Sequence, residues 1–122
     1  MKAAGRLLPI GDPKHVILTS IDGGPDSLTW LKDRTLDAEI SQDPVAYGQI
    51  CVEMLTKYSA NGKAIPLGNY ENNDYFWEKA KIIKGKSGPQ MVLPAYAITE
   101  DNASDPRQWG NIVTEKWGMS ES

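Results

Sequence analysis

A carboxylate ends the first apolar run of the sequence. In 16-VILTSIDGGPDSL-28, aliphatic and β-branched residues stop at Asp22, and Gly23, Gly24 and Pro25 follow at once. An ionised carboxylate only accepts hydrogen bonds, and its two oxygens can accept from two adjacent hydroxyl groups of a polyol. The pattern therefore predicts a ligand-binding acid at the end of a strand. Capping of the following helix is the alternative role for Asp22.

A second polar residue closes the next short apolar stretch. Gln42 ends 38-AEISQ-42 and stands directly before Asp43 and Pro44. A side-chain amide offers a donor and an acceptor, which suits a hydroxyl group that does both. A hydrogen bond to neighbouring backbone is the alternative role for Gln42. Asp22 and Gln42 are the two candidate ligand-binding residues.

The residues around Asp22 predict a strand followed by a helix. Residues 16–21 are short, continuous and apolar enough for a strand buried on both faces of a parallel sheet. Pro25 suits the first position of the next helix. The sequence predicts that this helix ends before Thr35. In open α/β sheets ligands bind beyond the carboxyl ends of the strands, and the sequence places Asp22 at such an end.

The same order is repeated around the second candidate. Residues 38–42 predict a short strand, after which Asp43 caps and Pro44 opens the clearest helix in the chain. Cys51 lies on the apolar stripe of this helix, so we expect it in the core. The dipeptide Asn61-Gly62 is expected to end the helix.

The second half of the chain gives a weaker pattern. Residues 63–90 are rich in Gly, Asn, Lys and aromatic residues, with one amphipathic piece around 74–83. The cluster 70-YENNDYFW-77 fits an extra surface helix, or a contact with a partner or with further chain. A strand over 91–99 and a short helix begun by Asp105-Pro106 complete the order. This alternation predicts an α/β fold with a parallel sheet.

Composition excludes several classes of function. The 122 residues suit one ordinary domain, and the net charge of −3 comes from interspersed acids and bases with no basic stripe. Nucleic acid is therefore not expected as a partner. No apolar run approaches the roughly 20 residues that span a bilayer, so direct membrane insertion is not expected. The N-terminal stretch also lacks an apolar segment of signal-peptide length.

Metal binding and catalysis are not expected either. His15 has no nearby Cys or second His, and 101-DNASD-105 lacks the glycine and the terminal glutamate of a calcium loop. The sequence contains no nucleophile-elbow, phosphate-binding or dinucleotide motif. We expect neither a cofactor nor an enzyme activity.

Four segments, in this order and spacing, resemble the C-terminal part of type I periplasmic sugar-binding proteins: 20-SIDGGPDSL-28, 38-AEISQDPVAYGQICVEML-55, 61-NGKAIP-66 and 98-ITEDNASDPRQWGN-111. These are the ribose-binding-like receptors of ABC transporters. The resemblance implies a periplasmic-binding-protein type I-like α/β fold, with a parallel sheet and flanking helices. It also implies that the fold is incomplete, with a C-terminal lobe plus elements that cross the hinge. Residues 1–42 would belong to the second lobe, 43–90 to the first lobe, and 91–117 to the returning hinge strand and the C-terminal helix.

The resemblance also implies a function. The matching Asp and Gln of the family contact the sugar, so Asp22 and Gln42 would bind a monosaccharide or polyol. The complete protein would be the solute-binding component of a sugar ABC transporter, located in the periplasm or outside the cell, with permease subunits as partners. A missing N-terminal lobe would supply further contacts, so we expect no sugar affinity tighter than millimolar from these residues alone. The sugar-sensing domain of a lactose-repressor-family regulator is the alternative, although the 98–111 segment resembles the transport receptors more closely.

Overall fold

Proline residues mark the starts of the two longest helices. In the computed structural model, which describes residues 1–119, helix α1 spans Pro25–Lys32 and helix α2 spans Pro44–Lys57. Proline fits these positions because the first N–H of a helix has no partner within the helix. The Asp43 carboxylate accepts a 2.9 Å hydrogen bond from the Ala46 N–H. The predicted cap and both predicted helix starts are confirmed.

The chain divides into two units, each with its own small sheet. The first unit contains Met1–Gln42 together with the chain from Ala95 onward, and the second contains Asp43–Pro94. Taken together the elements make a mixed α/β fold with one mixed sheet and one antiparallel sheet. The assignment of residues 1–42, 43–90 and 91–117 to the lobes of a receptor stays a prediction.

Three strands form the sheet of the first unit. Strand β1 (Thr19–Asp22) is parallel to β2 (Ala38–Ser41), and α1 connects the two. A two-residue strand, which we number β6 (Ala97–Ile98), is antiparallel to β2 on its other side. The expected parallel sheet is therefore correct for β1 and β2, whereas β6 runs the other way.

One face of this sheet is covered and the other is exposed. The covered face packs on a core cluster of apolar residues, namely Leu28, Leu31, Leu36, Ile98 and Ala103. On the other face, Ile21 and Ile40 are directly paired neighbours, and both are exposed. The expectation that the first strand is buried on both faces is therefore wrong. That strand also begins at Thr19, three residues later than the sequence predicts.

The C-terminal helix begins later than predicted. Helix α3 covers Trp109–Asn111 and continues as a π-helical turn over Ile112–Lys116. The Asp105 carboxylate instead accepts a hydrogen bond from the Arg107 N–H at 2.9 Å. The backbone of Asp105 also accepts from the Gln108 N–H at 3.0 Å. Because Asp105 is held in this turn, the helix starts after it.

The second unit packs α2 beside an antiparallel sheet. Its strands are β3 (Gly68–Glu71), β4 (Lys79–Gly85) and β5 (Gly88–Val92), in that spatial order. Helix α2 ends at Lys57, and a short 3-10 turn over Ser59–Asn61 follows it and ends at Gly62 of the predicted stop. The strand expected over 91–99 is two separate strands, β5 and β6, because Pro94 lies between them and has no N–H for a ladder.

The amphipathic piece around 74–83 forms a turn and most of β4. Two expectations for the second unit are wrong. The cluster 70–77 is no surface helix, and Tyr75 and Trp77 are buried with their rings stacked 4.8 Å apart. Cys51, expected in the core, is exposed. The buried residues of α2 are Val45, Ala46 and Ile50, on a different side of the helix.

Three hydrogen bonds explain why this aromatic cluster is buried. The Tyr70 and Tyr75 hydroxyls donate to Glu53 and Gln49 of α2, each at 2.9 Å. The Trp77 indole N–H donates to the Asp43 carboxylate at 3.3 Å. The segment therefore attaches the β3–β4 region to the length of α2.

Across residues 1–119, no helix has the combination of length and apolar character that crossing a membrane requires.

Candidate functional site

The two predicted ligand residues meet at one edge of the first sheet. Asp22 is the last residue of β1, and Gln42 directly follows β2, which is parallel to it. The Gln42 backbone N–H donates to the Asp22 carbonyl at 3.0 Å. Both residues are exposed. The backbones of the two residues are therefore neighbours at the carboxyl ends of adjacent parallel strands.

The backbone of Asp22 adopts a conformation that is unusual for its residue type. Its φ angle is 111°, in the range that favours glycine. Holding a non-glycine residue in such a conformation costs about 1–3 kcal/mol, and residues of this kind cluster at functional sites. Beyond the bond from Gln42, the Asp22 carbonyl accepts a 2.6 Å hydrogen bond from the Trp109 indole N–H. Two donors from distant parts of the chain thus fix the strained peptide.

Trp109 and Gly110 pack against the glycine turn that follows Asp22. A Cβ atom added to Gly23, whose φ is 88°, would lie 2.9 Å from the Ile98 Cδ1 and 3.2 Å from the Trp109 Nε1. A Cβ atom added to Gly110 would lie 2.7 Å from the Gly23 carbonyl oxygen. Glycine is required at Gly23 because of its positive φ angle and the nearby Ile98 and Trp109 side chains, and at Gly110 because the backbone of Gly23 approaches it closely. Packing against Trp109 and Gly110 of α3 therefore fixes the turn after Asp22.

A polar pair lies buried beneath this edge. Glu39 and Ser41 of β2 are both almost fully buried, and the Ser20 hydroxyl donates to the Glu39 Oε1 at 3.1 Å. Within the described part of the chain, the Glu39 Oε2 and the Ser41 Oγ have no hydrogen-bond partner. Buried polar atoms without a partner are rare. The alternation in 38-AEISQ-42 could have found this pair, because it places Glu39 and Ser41 on one face and the apolar residues on the other.

The chemistry of the edge is that of recognition. It offers a carboxylate that accepts hydrogen bonds and an amide that both donates and accepts, on residues whose backbones are bonded to each other. Among the hydrogen bonds described, neither Asp22 nor Gln42 is paired with a base that could activate it as a nucleophile. Across residues 1–119, no group of three or more His, Cys, Asp or Glu side chains is arranged to hold a metal ion. The arrangement can bind the hydroxyl groups of a neutral polar ligand.

His15 has a structural role away from this edge. Its Nδ1 donates to the Leu8 carbonyl at 2.6 Å, and its Nε2 lies 3.0 Å from the Asp37 carboxylate. Asp37 also accepts a 2.8 Å hydrogen bond from the Leu18 N–H. The bond to Leu8, followed by the one to Asp37, raises the pKa of His15 above its ordinary value of 6.5. His15 therefore attaches the N-terminal segment to the residue that precedes β2.

A separate cavity of about 410 Å³ opens in the first unit. Its lining is mostly apolar, with two hydroxyl groups and one ammonium group, and comprises Met1, Lys2, Leu7, Leu18, Thr19, Trp30, Thr35 and Leu36. It contains no carboxylate or amide side chain, which are the groups that best satisfy a polyol. The edge at Asp22 and Gln42 is therefore the better candidate for a sugar. No protein-family model and no curated protein sequence matches the chain.

Proposed function

We propose that Asp22 and Gln42 bind a monosaccharide or a related polyol. The observation that carries this proposal is the hydrogen bond from the Gln42 N–H to the Asp22 carbonyl, which holds the two exposed polar residues together. Their position beyond the carboxyl ends of parallel strands is where open α/β sheets bind ligands. Asp22 accepts from two adjacent hydroxyl groups, and the Gln42 amide contacts a third.

The rigidity of the Asp22 backbone supports this role. Because its carbonyl is held by both Gln42 and Trp109, the carboxylate is presented on a fixed support. A preorganised group loses less conformational entropy when a ligand binds. A binding carboxylate gains from being held in one position, and strained backbone of the kind seen at Asp22 clusters at functional sites.

We further propose that the chain belongs to the solute-binding component of a sugar ABC transporter. The strand–helix–strand order of β1, α1 and β2 and the packing of Trp109-Gly110 on the glycine turn support a type I periplasmic-binding-protein-like fold. In this proposal the protein binds its sugar reversibly and passes it to permease subunits, without catalysing a reaction. The complete protein acts in the periplasm or outside the cell.

An NMR titration tests the binding site. The ¹⁵N-labelled 122-residue chain is titrated with pentoses, hexoses and acyclic polyols up to tens of millimolar, because weak binding is expected from a single edge. We expect one class of sugar to shift the amide signals of Gly23 and Gln42 and the indole signal of Trp109 in a saturable manner. Shifts confined to other parts of the chain, or none with any sugar, would contradict the proposal.

A further inference from the structure

The cavity of about 410 Å³ lies wholly within the first unit, and neither Asp22 nor Gln42 lines it. Its volume falls within the roughly 300–1,000 Å³ that small-molecule sites occupy. Leu36 belongs to the core cluster and Leu18 packs against it, so both present apolar surface that is fixed in place. Trp30 adds an indole ring that is 50% exposed. The cavity therefore has the size and the lining to hold the apolar part of a small molecule.

Hydrogen bonds hold the N-terminal segment that forms one wall of this cavity. Leu7 lines the cavity from this segment, and the next residue, Leu8, accepts a 2.6 Å hydrogen bond from the His15 Nδ1 through its carbonyl. The Ile10 N–H donates to the Arg34 carbonyl, just beyond α1, at 2.7 Å. The wall is therefore attached to the rest of the first unit, and the cavity is formed before any ligand binds, as is usual for small-molecule sites.

One positive charge lies at this cavity. Within the described part of the chain, its lining includes the ammonium group of Lys2 and no acidic side chain. Lys2 is exposed, so its charge is at the open side and available to a ligand. An ammonium group offers three donors, and a carboxylate only accepts hydrogen bonds, so the two match in charge and in hydrogen bonding. A ligand with an apolar body and one carboxylate therefore fits both parts of the lining.

A peptide segment suits this cavity less well than such a ligand. Every residue of a peptide brings a backbone carbonyl, and nearly every residue an N–H, and these groups need partners when they leave water. The hydroxyl groups of the lining are those of Thr19 and Thr35, and the Thr35 hydroxyl already donates to the Trp30 carbonyl at 3.3 Å. A molecule with its polar atoms at one end leaves no polar group unpaired against the apolar lining.

We propose that this cavity binds an aliphatic monocarboxylate of medium chain length. The hydrocarbon chain packs against Leu18, Trp30 and Leu36, and the carboxylate lies at the open side near Lys2. Burial of the chain supplies most of the affinity, and the ion pair selects an anion over a cation. This site is separate from the proposed sugar site and does not depend on it.

An NMR titration of the ¹⁵N-labelled chain tests the site, with octanoate, hexanoate and octylammonium kept below the concentrations at which they form micelles. We expect octanoate to shift the amide signals of Leu18 and Leu36 and the indole signal of Trp30 in a saturable manner. Hexanoate should bind on the order of tenfold more weakly, because two fewer methylene groups are buried. Absence of saturable shifts with octanoate, or shifts confined to other parts of the chain, would overturn the proposal.

A charge reversal tests the role of Lys2. The unaltered chain should bind octanoate about two- to fivefold more tightly than octylammonium, the range that an exposed ion pair gives. Lys2→Glu should reverse this preference. Lys14→Glu is the matched control, because Lys14 is an exposed lysine of the same segment that does not line the cavity, and it should keep the preference for octanoate. An unchanged preference in Lys2→Glu, or the same reversal in Lys14→Glu, would show that Lys2 does not select the ligand.

Discussion

The Gln42 backbone N–H donates a 3.0 Å hydrogen bond to the Asp22 carbonyl. The two residues are separated by a helix and a strand in the sequence, and the parallel pairing of β1 with β2 brings them together. Each was a candidate on the chemistry of its own side chain. Their adjacency means that one small ligand can contact both, which is the basis of the proposed sugar site.

Loss of the Trp109 indole N–H should destabilise the first unit. Trp109→Phe keeps an aromatic ring but removes the donor to the Asp22 carbonyl. We expect the free energy of unfolding to fall by about 0.5–1.5 kcal/mol, the contribution of one hydrogen bond. Trp117→Phe is the control, because Trp117 is half exposed. Urea denaturation of both variants checks this, and equal effects of the two changes would show that the bond contributes nothing.

Two glycines in helices should respond to alanine in opposite directions. Gly110→Ala places a methyl group 2.7 Å from the Gly23 carbonyl, so we expect a loss of about 1–3 kcal/mol from overpacking. Gly48, in α2, has no atom within 4 Å of an added Cβ. Gly48→Ala should therefore add up to about 1 kcal/mol through helix propensity. Urea midpoints that move in the same direction for both variants would contradict the close packing of α3 on the glycine turn.

The His15–Asp37 pair should make stability depend on pH. Hydrogen bonds raise the pKa of His15 above 6.5, so its contribution is full below pH 6.5 and is lost as pH rises through the folded-state pKa. The Leu18 N–H, followed by His15, lowers the pKa of Asp37 below 3.8, so that contribution is lost only in acid. Asp12 also favours the charged imidazole.

We expect the unaltered chain to be more stable at pH 5.5 than at pH 8.5, and His15→Gln to reduce that difference. Thermal unfolding in buffers across this range measures the effect. A pH dependence that is the same in both proteins would place its origin elsewhere.

The cap of α2 should tolerate an amide but not a methyl group. Burial raises the pKa of Asp43, which means that its charged form is disfavoured in the folded protein. Asparagine caps a helix about as well as aspartate, but its amide has only one acceptor oxygen, so Asp43→Asn keeps the Ala46 hydrogen bond, loses the one from Trp77, and should cost less than Asp43→Ala. Asp43→Ala removes both the Ala46 and the Trp77 hydrogen bonds and should cost about 1–2 kcal/mol. Equal stability of the two variants in urea would contradict the capping role.

Local chemistry made part of this fold predictable. Pro25, Asp43 and Pro44 act on the residues next to them, and the helices begin where these residues predict. The position of Asp22 at the end of a strand was also predictable, because the apolar run stops there and two glycines and a proline follow. Helix starts and strand ends, which depend on residues close together in the sequence, were therefore the features that the sequence predicted correctly.

Contacts between distant residues were not predictable. The Trp109 bond to Asp22 joins residues 87 positions apart, and no local pattern encodes it. The buried side of α2 was misjudged because both sides of the helix are apolar, and only the attachment of Tyr70, Tyr75 and Trp77 decides which side is covered. The β3–β5 sheet was missed because lysines and glycines interrupt its alternation.

The sugar affinity of an Asp22→Asn variant is the most direct test of the proposed function. Asparagine tolerates a positive φ angle better than most residues, so the change removes the charge with little effect on the backbone. Asp101→Asn, at another exposed acid, is the control. In an NMR titration with the sugar that shifts Gly23 and Gln42, we expect Asp22→Asn to weaken binding at least about tenfold, since hydrogen bonds to a charged group contribute about 1.5–3 kcal/mol. An affinity equal to that of the Asp101→Asn control would contradict the assignment of Asp22 to a sugar site.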